Sequence, residues 1–332
     1  MFDRQLLLGV VLSVTAALLF CTKSVILKCA FALGADASQM LALRMAISAP
    51  FFLALSWYHE RRARKAQASA LTTRGLAVIS AWGLLGYALC PWLDFQGLQY
   101  IPVSLERMVL FAYPTLVVLF AILRGTMHLH LAMAIGLATT YLGVFCTSSD
   151  HHLPVSQHAT VGILLVAASA VSYAVFLVGA NATLRRYGDQ RFMAMAITAA
   201  CLGVCLHGLS QGGIQLFVVR PLVLGYGVLL AIPATVVPAM LTGAGLRLLG
   251  PSRFAVVSTI GPLGTVALAM LVLGEQPSAL GWLGIALTLG GCLATGLSTS
   301  AAPIPGAGTA DACARVPPPT PEAAPRLPAR GG

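Results

Sequence analysis

Apolar residues run in long continuous stretches separated by short polar ones. Windows of this kind cover about 6–30, 38–58, 76–99, 103–123, 130–148, 160–182, 193–210, 222–246, 254–273 and 279–297. Each is near the ~20 residues that a helix needs to cross about 30 Å of hydrocarbon. A transmembrane barrel would show short alternating segments instead. The pattern therefore predicts an all-α integral membrane protein with ten transmembrane helices.

The pattern also repeats itself. Gly97, Leu98, Ser104, Pro114, Gly136, Ala138, Thr140, Gly143 and Thr147 recur 148 positions later as Gly245, Leu246, Ser252, Pro262, Gly284, Ala286, Thr288, Gly291 and Thr295. Two five-helix copies are expected, over residues 6–148 and 160–298. An odd number of spans per copy turns the second upside down relative to the first, and such inverted repeats are a transporter signature.

Composition agrees with a bilayer as solvent: 58% of residues are hydrophobic and 9% charged, with a mean hydropathy of +0.86. Charge adds orientation. With a cytoplasmic amino terminus, the inward connections hold Arg61, Arg62, Arg64, Lys65, Arg74, Arg124, Arg185, Arg186, Arg191, Arg247 and Arg253, and the tail holds Arg315, Arg326 and Arg330. The outward ones hold Arg220 with Asp36, Asp150 and Glu275. By the positive-inside rule both termini are cytoplasmic, and a bacterial-type inner membrane is the expected location. The net charge of +10 then follows from topology, and no nucleic-acid partner is expected.

The amino-terminal apolar run continues to Lys28 without a small-residue cleavage site, so it reads as an uncleaved first helix. Residues 299–332, rich in Ala, Pro and Gly, read as a disordered cytoplasmic tail. Seven of eight cysteines fall within spans, where thiols pack as small hydrophobes, and Cys313 lies in the tail. Neither Cys201, Cys205 and His207 nor His151, His152 and His158 form a persuasive ligand set, so no metal, cofactor or disulfide is expected.

The segments Leu249 to Pro262, Leu273-Gly274-Glu275 and Gly284 with Gly290-Gly291, together with Ile101 to Pro114 in the first copy, resemble the EamA-type repeat of the drug/metabolite transporter superfamily. Lys28 and Arg44 also resemble residues common at those positions. The resemblance covers about residues 6–298 and implies a transporter, without naming a substrate. One departure is visible: where the second copy has Gly274-Glu275, the first has Gly125-Thr126.

A charge at mid-bilayer costs about 2.5–3.5 kcal/mol on insertion scales, so ionisable residues within spans are candidates for function. Lys23, Lys28, Arg44, Asp94, Glu106 and Arg107 all fall toward the outward side. Lys28 and Arg44 can instead snorkel to the headgroups. Lys23 and Asp94, the deepest, either form a buried ion pair that holds helices together or line the transport path. The 148-residue counterparts of Asp94 and Glu106 are Thr242 and Phe254. The substrate or proton path is assigned to Lys23, Asp94, Glu106, Arg107, Trp92, Tyr113, Tyr173 and Asn181. Pro114, Pro233, Pro238 and Pro262 are the expected kinks or hinges. Asp94 or Glu106 is the candidate proton carrier, since desolvation disfavours a charged carboxylate.

No enzyme motif and no P-loop is present, so a non-enzyme is expected, with transport proton-coupled or facilitative. The reading is an exporter of small polar, amino-acid-like metabolites that works by alternating access. The alternatives are a lipid-carrier flippase subunit and a membrane assembly partner that does not transport. The expected partners are a small-molecule substrate, the lipid bilayer and, as an open option, a second copy in a homodimer.

Overall fold

The structure, a computed structural model, describes residues 4–65, 71–125, 131–150, 152, 156–217, 219–249, 257 and 260–300. Its long helices are α1 (Arg4–Ala32), α2 (Ala37–Lys65), α3 (Thr73–Leu98), α4 (Val103–Leu123), α5 (Leu131–Ser148), α6 (Ala159–Gly179), α7 (Asp189–Gly212), α8 (Pro221–Leu249), α9 (Ile260–Leu273) and α10 (Ala279–Ser300). Among the described residues, α1 to α8 are long and apolar enough to cross a membrane. The described part of α9 and the apolar stretch Ala279–Thr295 of α10 are shorter. The window 254–273 extends into residues outside the described set, as does the tail beyond Ser300.

Each major packing partnership joins the two halves of the chain. α5 lies along α10, α2 along α7, α1 against α8 and α9, and α6 against α3 and α4. The contacts are crosswise. Gly136 faces Gly291 and Thr295, while Gly143 faces Gly284 and Thr288. Residues equivalent in the two copies therefore meet in antiparallel order, which is the geometry of a two-fold axis perpendicular to the helices. Thr140, Thr147, Thr288 and Thr295 donate their hydroxyls to the carbonyls of Gly136, Gly143, Gly284 and Gly291 one turn back, at 2.8–3.0 Å. None of these four hydroxyls is stranded, and glycine lets the backbones close together. Outward-facing Leu131, Phe145 and Leu271 are exposed, as side chains solvated by lipid would be.

Three helices depart from regular α geometry where prolines cluster. α4 breaks at Ala112, between Val103–Phe111 and Tyr113–Leu123, just before Pro114. α3 contains a π segment at Leu84–Leu89, and α8 contains one at Ile232–Val236 that includes Pro233 and precedes Pro238. The two π segments begin 148 positions apart, so they are the same feature in both copies. In α8 the carbonyls near the prolines are answered by side chains: Thr235 donates to Leu230 O at 2.7 Å and Ser48 to Ala231 O at 3.4 Å. Pro262 lies in the first turn of described α9.

Adjacent glycines on α10 give a matched test of the α5–α10 contact. A Cβ at Gly291 would stand 2.5 Å from the Thr140 amide nitrogen, whereas one at Gly290 meets nothing within 4 Å. Gly291→Ala should destabilise the detergent-solubilised protein by about 1–3 kcal/mol, read as a lower thermal midpoint. Gly290→Ala should match or exceed the parent, because alanine is the better helix former.

Candidate functional site

The charged residues of the first half converge toward one end of the bundle. The Lys23 Nζ on α1 donates to Asp94 Oδ2 on α3 at 2.6 Å. Asp94 is on the turn after the π segment of α3 and is 2% exposed. Lys23 also stands 5.7 Å from the centre of the Phe95 ring, which Arg44 of α2 approaches from 5.6 Å. Arg44 Nε donates to Thr235 Oγ1 at 2.9 Å, so a residue read as able to snorkel is turned inward onto the α8 π segment.

Glu106 and Arg107 enter from α4. Their side chains lie 3.5 Å apart although consecutive helical residues point in different directions, because both bend toward α1 and α3. Arg107 Nη2 donates to Ser24 Oγ on α1 at 2.5 Å. Glu106 is wholly buried, and neither of its oxygens has a donor. Asp94 Oδ1 and Arg107 Nε likewise lack partners.

Beyond this cluster, between the halves, lies a cavity of about 360 Å³. Arg107, Tyr113 and Tyr173 line it, with Ser13, Thr242 and Pro262 among the other walls. Tyr113 and Tyr173 meet edge to face at 5.0 Å, and Tyr173 stacks on Phe176 at 5.9 Å. Thr242, the counterpart of Asp94, thus reaches the cavity from the second half.

Two candidates from the sequence lie elsewhere. Trp92 is half-exposed on the outer side of α3, where its indole nitrogen donates to Ser38 Oγ at 3.4 Å. Two residues, about half a turn, separate it from Asp94, so the two side chains leave opposite faces of the helix. Asn181 follows the end of α6 and starts a separate short helix, Asn181–Tyr187. Neither residue lines the cavity.

Glu275 caps a helix start in the other half of the chain. Its carboxylate accepts from the Val103 amide at 2.7 Å, the Ser104 amide at 2.9 Å and the Ser104 hydroxyl at 2.6 Å. These are orphan donors at the first turn of α4, where the helix dipole also favours an anion. Gly274, at φ +68°, makes the left-handed turn that delivers it. Asp150 makes a second tie at this end, accepting from the His152 amide at 3.0 Å and the Ser278 amide at 2.8 Å.

The repeat has a counterpart among known proteins. The sequence profile of the EamA-like transporter family matches residues 7–149 and again 160–297. The chain belongs to the EamA-like transporter family. A relative within reach is the uncharacterized transporter YcbK of Bacillus subtilis (strain 168), 25% identical over 277 residues, which span 82% of this chain and 88% of that protein. A solved crystal structure shares the fold at a TM-score of 0.56 and 20% identity, over 88% of this chain and 98% of its own. This EamA-like protein is accordingly a multi-pass membrane transporter.

Asp150 lies outside the spans, and its titration is predictable in sign. Burial raises its pKa, but the His152 and Ser278 donors outweigh that and hold it below the ordinary 3.8. A carboxyl whose folded pKa is depressed stabilises the fold above its unfolded value, and the contribution is lost as pH falls through the folded one. Asp150→Ala should lower the thermal midpoint at neutral pH. The gap from the parent should shrink only below about pH 4.

Proposed function

We propose that this protein exports small polar, amino-acid-like metabolites across a bacterial inner membrane by alternating access between two inverted five-helix repeats, over residues 6–148 and 160–298. Ten spans with both termini cytoplasmic complete the reading. The observation that carries it is the cavity between the halves, which Arg107 lines and beside which Arg107 approaches Glu106 and Lys23 pairs with Asp94. A central cavity with charge at bilayer depth suits a solute path. In the proposed orientation the Glu275 end is external, and the cavity lies on the cytoplasmic side of the charges. The Glu275 and Asp150 ties then hold the external end together while a solute enters from within.

Proton coupling through Asp94 and Glu106 is favoured by their unsatisfied oxygens. Facilitated export is the alternative, since the Lys23 ammonium already neutralises one carboxylate. The lipid-carrier reading draws on a different feature: an apolar groove of about 830 Å³ bordered by Leu84, Leu89, Trp92 and Gly203 at the side of α3 and α7. Among the described residues no Lys or Arg lines that groove to receive a lipid phosphate. The solute reading therefore stands first.

Cells overproducing the protein should show a lower internal pool of one compound class and higher tolerance to its toxic analogues. Unchanged pools and tolerance across amino acids, nucleosides and related solutes would instead favour the flippase or assembly-partner reading. Cysteine labelling at Arg62 should succeed only from the cytoplasmic side, and labelling at His158 only from outside. The reverse would invert the orientation.

Asp94→Asn leaves Lys23 buried without its anion and should cost about 3–5 kcal/mol of stability. Lys23→Met with Asp94→Asn removes both charges and should recover much of that loss. If this double variant reaches the membrane and exports at the parental rate, the pair is structural only. A folded double variant without export places the pair on the route.

A further inference from the structure

The cavity's chemistry narrows the substrate further, given the proposed solute path. Arg107 is the one charged side chain among its described lining residues. Its guanidinium is incompletely used: Nη2 serves Ser24, Glu106 stands at 3.5 Å, and the buried Nε has no acceptor. A buried donor without a partner is costly, and a planar guanidinium is matched by a carboxylate that takes two of its hydrogens together. Lys23 is already committed to Asp94.

The remaining walls suit an apolar body. Phe20, Phe111, Tyr113, Tyr173 and Pro262 present rings or apolar faces, and the Tyr113 and Tyr173 rings already make the edge-to-face contact that a third ring can extend. Ser13, Thr242 and Thr265 supply hydroxyls, so a polar substituent on the ligand also finds partners. No described lining residue carries a carboxylate to favour a cation. A volume of about 360 Å³ is near the lower end of the range for small-molecule sites. We infer that the site selects solutes with one carboxylate and an apolar, ring-bearing body, with Arg107 holding the carboxylate and the tyrosine pair facing the ring.

Three probes of matched shape test this: phenylacetate, 2-phenylethanol and 2-phenylethylamine, against the full-length protein in detergent and in liposomes. Phenylacetate should raise the thermal midpoint and be transported saturably, with the alcohol and the amine at least about 10-fold weaker, as loss of a charge-assisted hydrogen bond implies. Glu106→Gln with Arg107→Gln keeps the site's charge balanced and should abolish the phenylacetate response. Arg107→Lys should weaken it, and Tyr173→Leu should reduce affinity by about 2- to 13-fold.

Equal responses to alcohol, amine and acid in the parent protein would overturn the inference, and that comparison holds even if no Arg107 variant folds. A folded double glutamine variant that keeps the phenylacetate response would overturn it as well. If the amine or alcohol is transported and the acid is not, the inference falls while transport stands. If phenylacetate binds through Arg107 yet no solute crosses liposomes, the inference stands and the transport reading falls.

Discussion

Helices already dissolved in lipid gain little by hiding apolar side chains from one another, since the surrounding tails are equally apolar. Their association rests on close contact and on satisfied polar groups. Among the described residues the α5–α10 seam is the most extensive helix contact, with glycine of one copy against threonine of the other and each threonine hydroxyl returned to its own helix. Because the same spacing serves both sides, the seam fixes the antiparallel relation of the halves. The other partnerships, α2 with α7, α1 with α8 and α9, and α6 with α3 and α4, follow the same crossed scheme. The cavity occupies the space that this crossing leaves between them.

The polar groups are placed by that frame. Asp94 follows a π segment, where the extra residue in the helical turn alters which faces the helix presents. Lys23, Ser24 and Arg44 reach the same region from α1 and α2, and Glu106 and Arg107 come from the first turns of α4. Glu275 holds the start of α4 from the opposite half of the chain. Removing the cap would thus loosen the segment that carries Glu106 and Arg107, although Glu275 touches neither.

Much of this was legible before any coordinates. The 148-residue recurrence gave the two halves, because packing glycines and threonines must reappear wherever the same seam is built twice. The depth of Lys23 and Asp94 left two readings, an ion pair between helices or lining of the transport path, because a lone charge in hydrocarbon is costly; the 2.6 Å contact shows the pair and leaves the path as a proposal. Trp92 lies away from the cavity for a reason of angle, and Asn181 because the apolar window runs past the end of its helix. A sequence window gives depth along a helix but not the face, and the π segment of α3 further shifts faces relative to a regular helix. Arg44 allowed two readings from its position near a helix end; a Thr235 hydroxyl on another helix decided between them. Glu275 looked like an outward loop acid, since nothing in its own neighbourhood names a helix start 172 positions away.

Two-fold pseudosymmetry has an energetic corollary. If both copies were identical, turning the molecule over would exchange its two end states, and they would be equally populated. Each position where the copies differ is a weight on that balance. Glu275 contributes a three-contact carboxylate clamp at one end, whereas the matching position of the first copy is Thr126, which has no carboxylate to offer. On the proposed alternating-access reading, that clamp weights the balance toward the form with the Glu275 end shut, and a ligand that opens that end would do work against this bias.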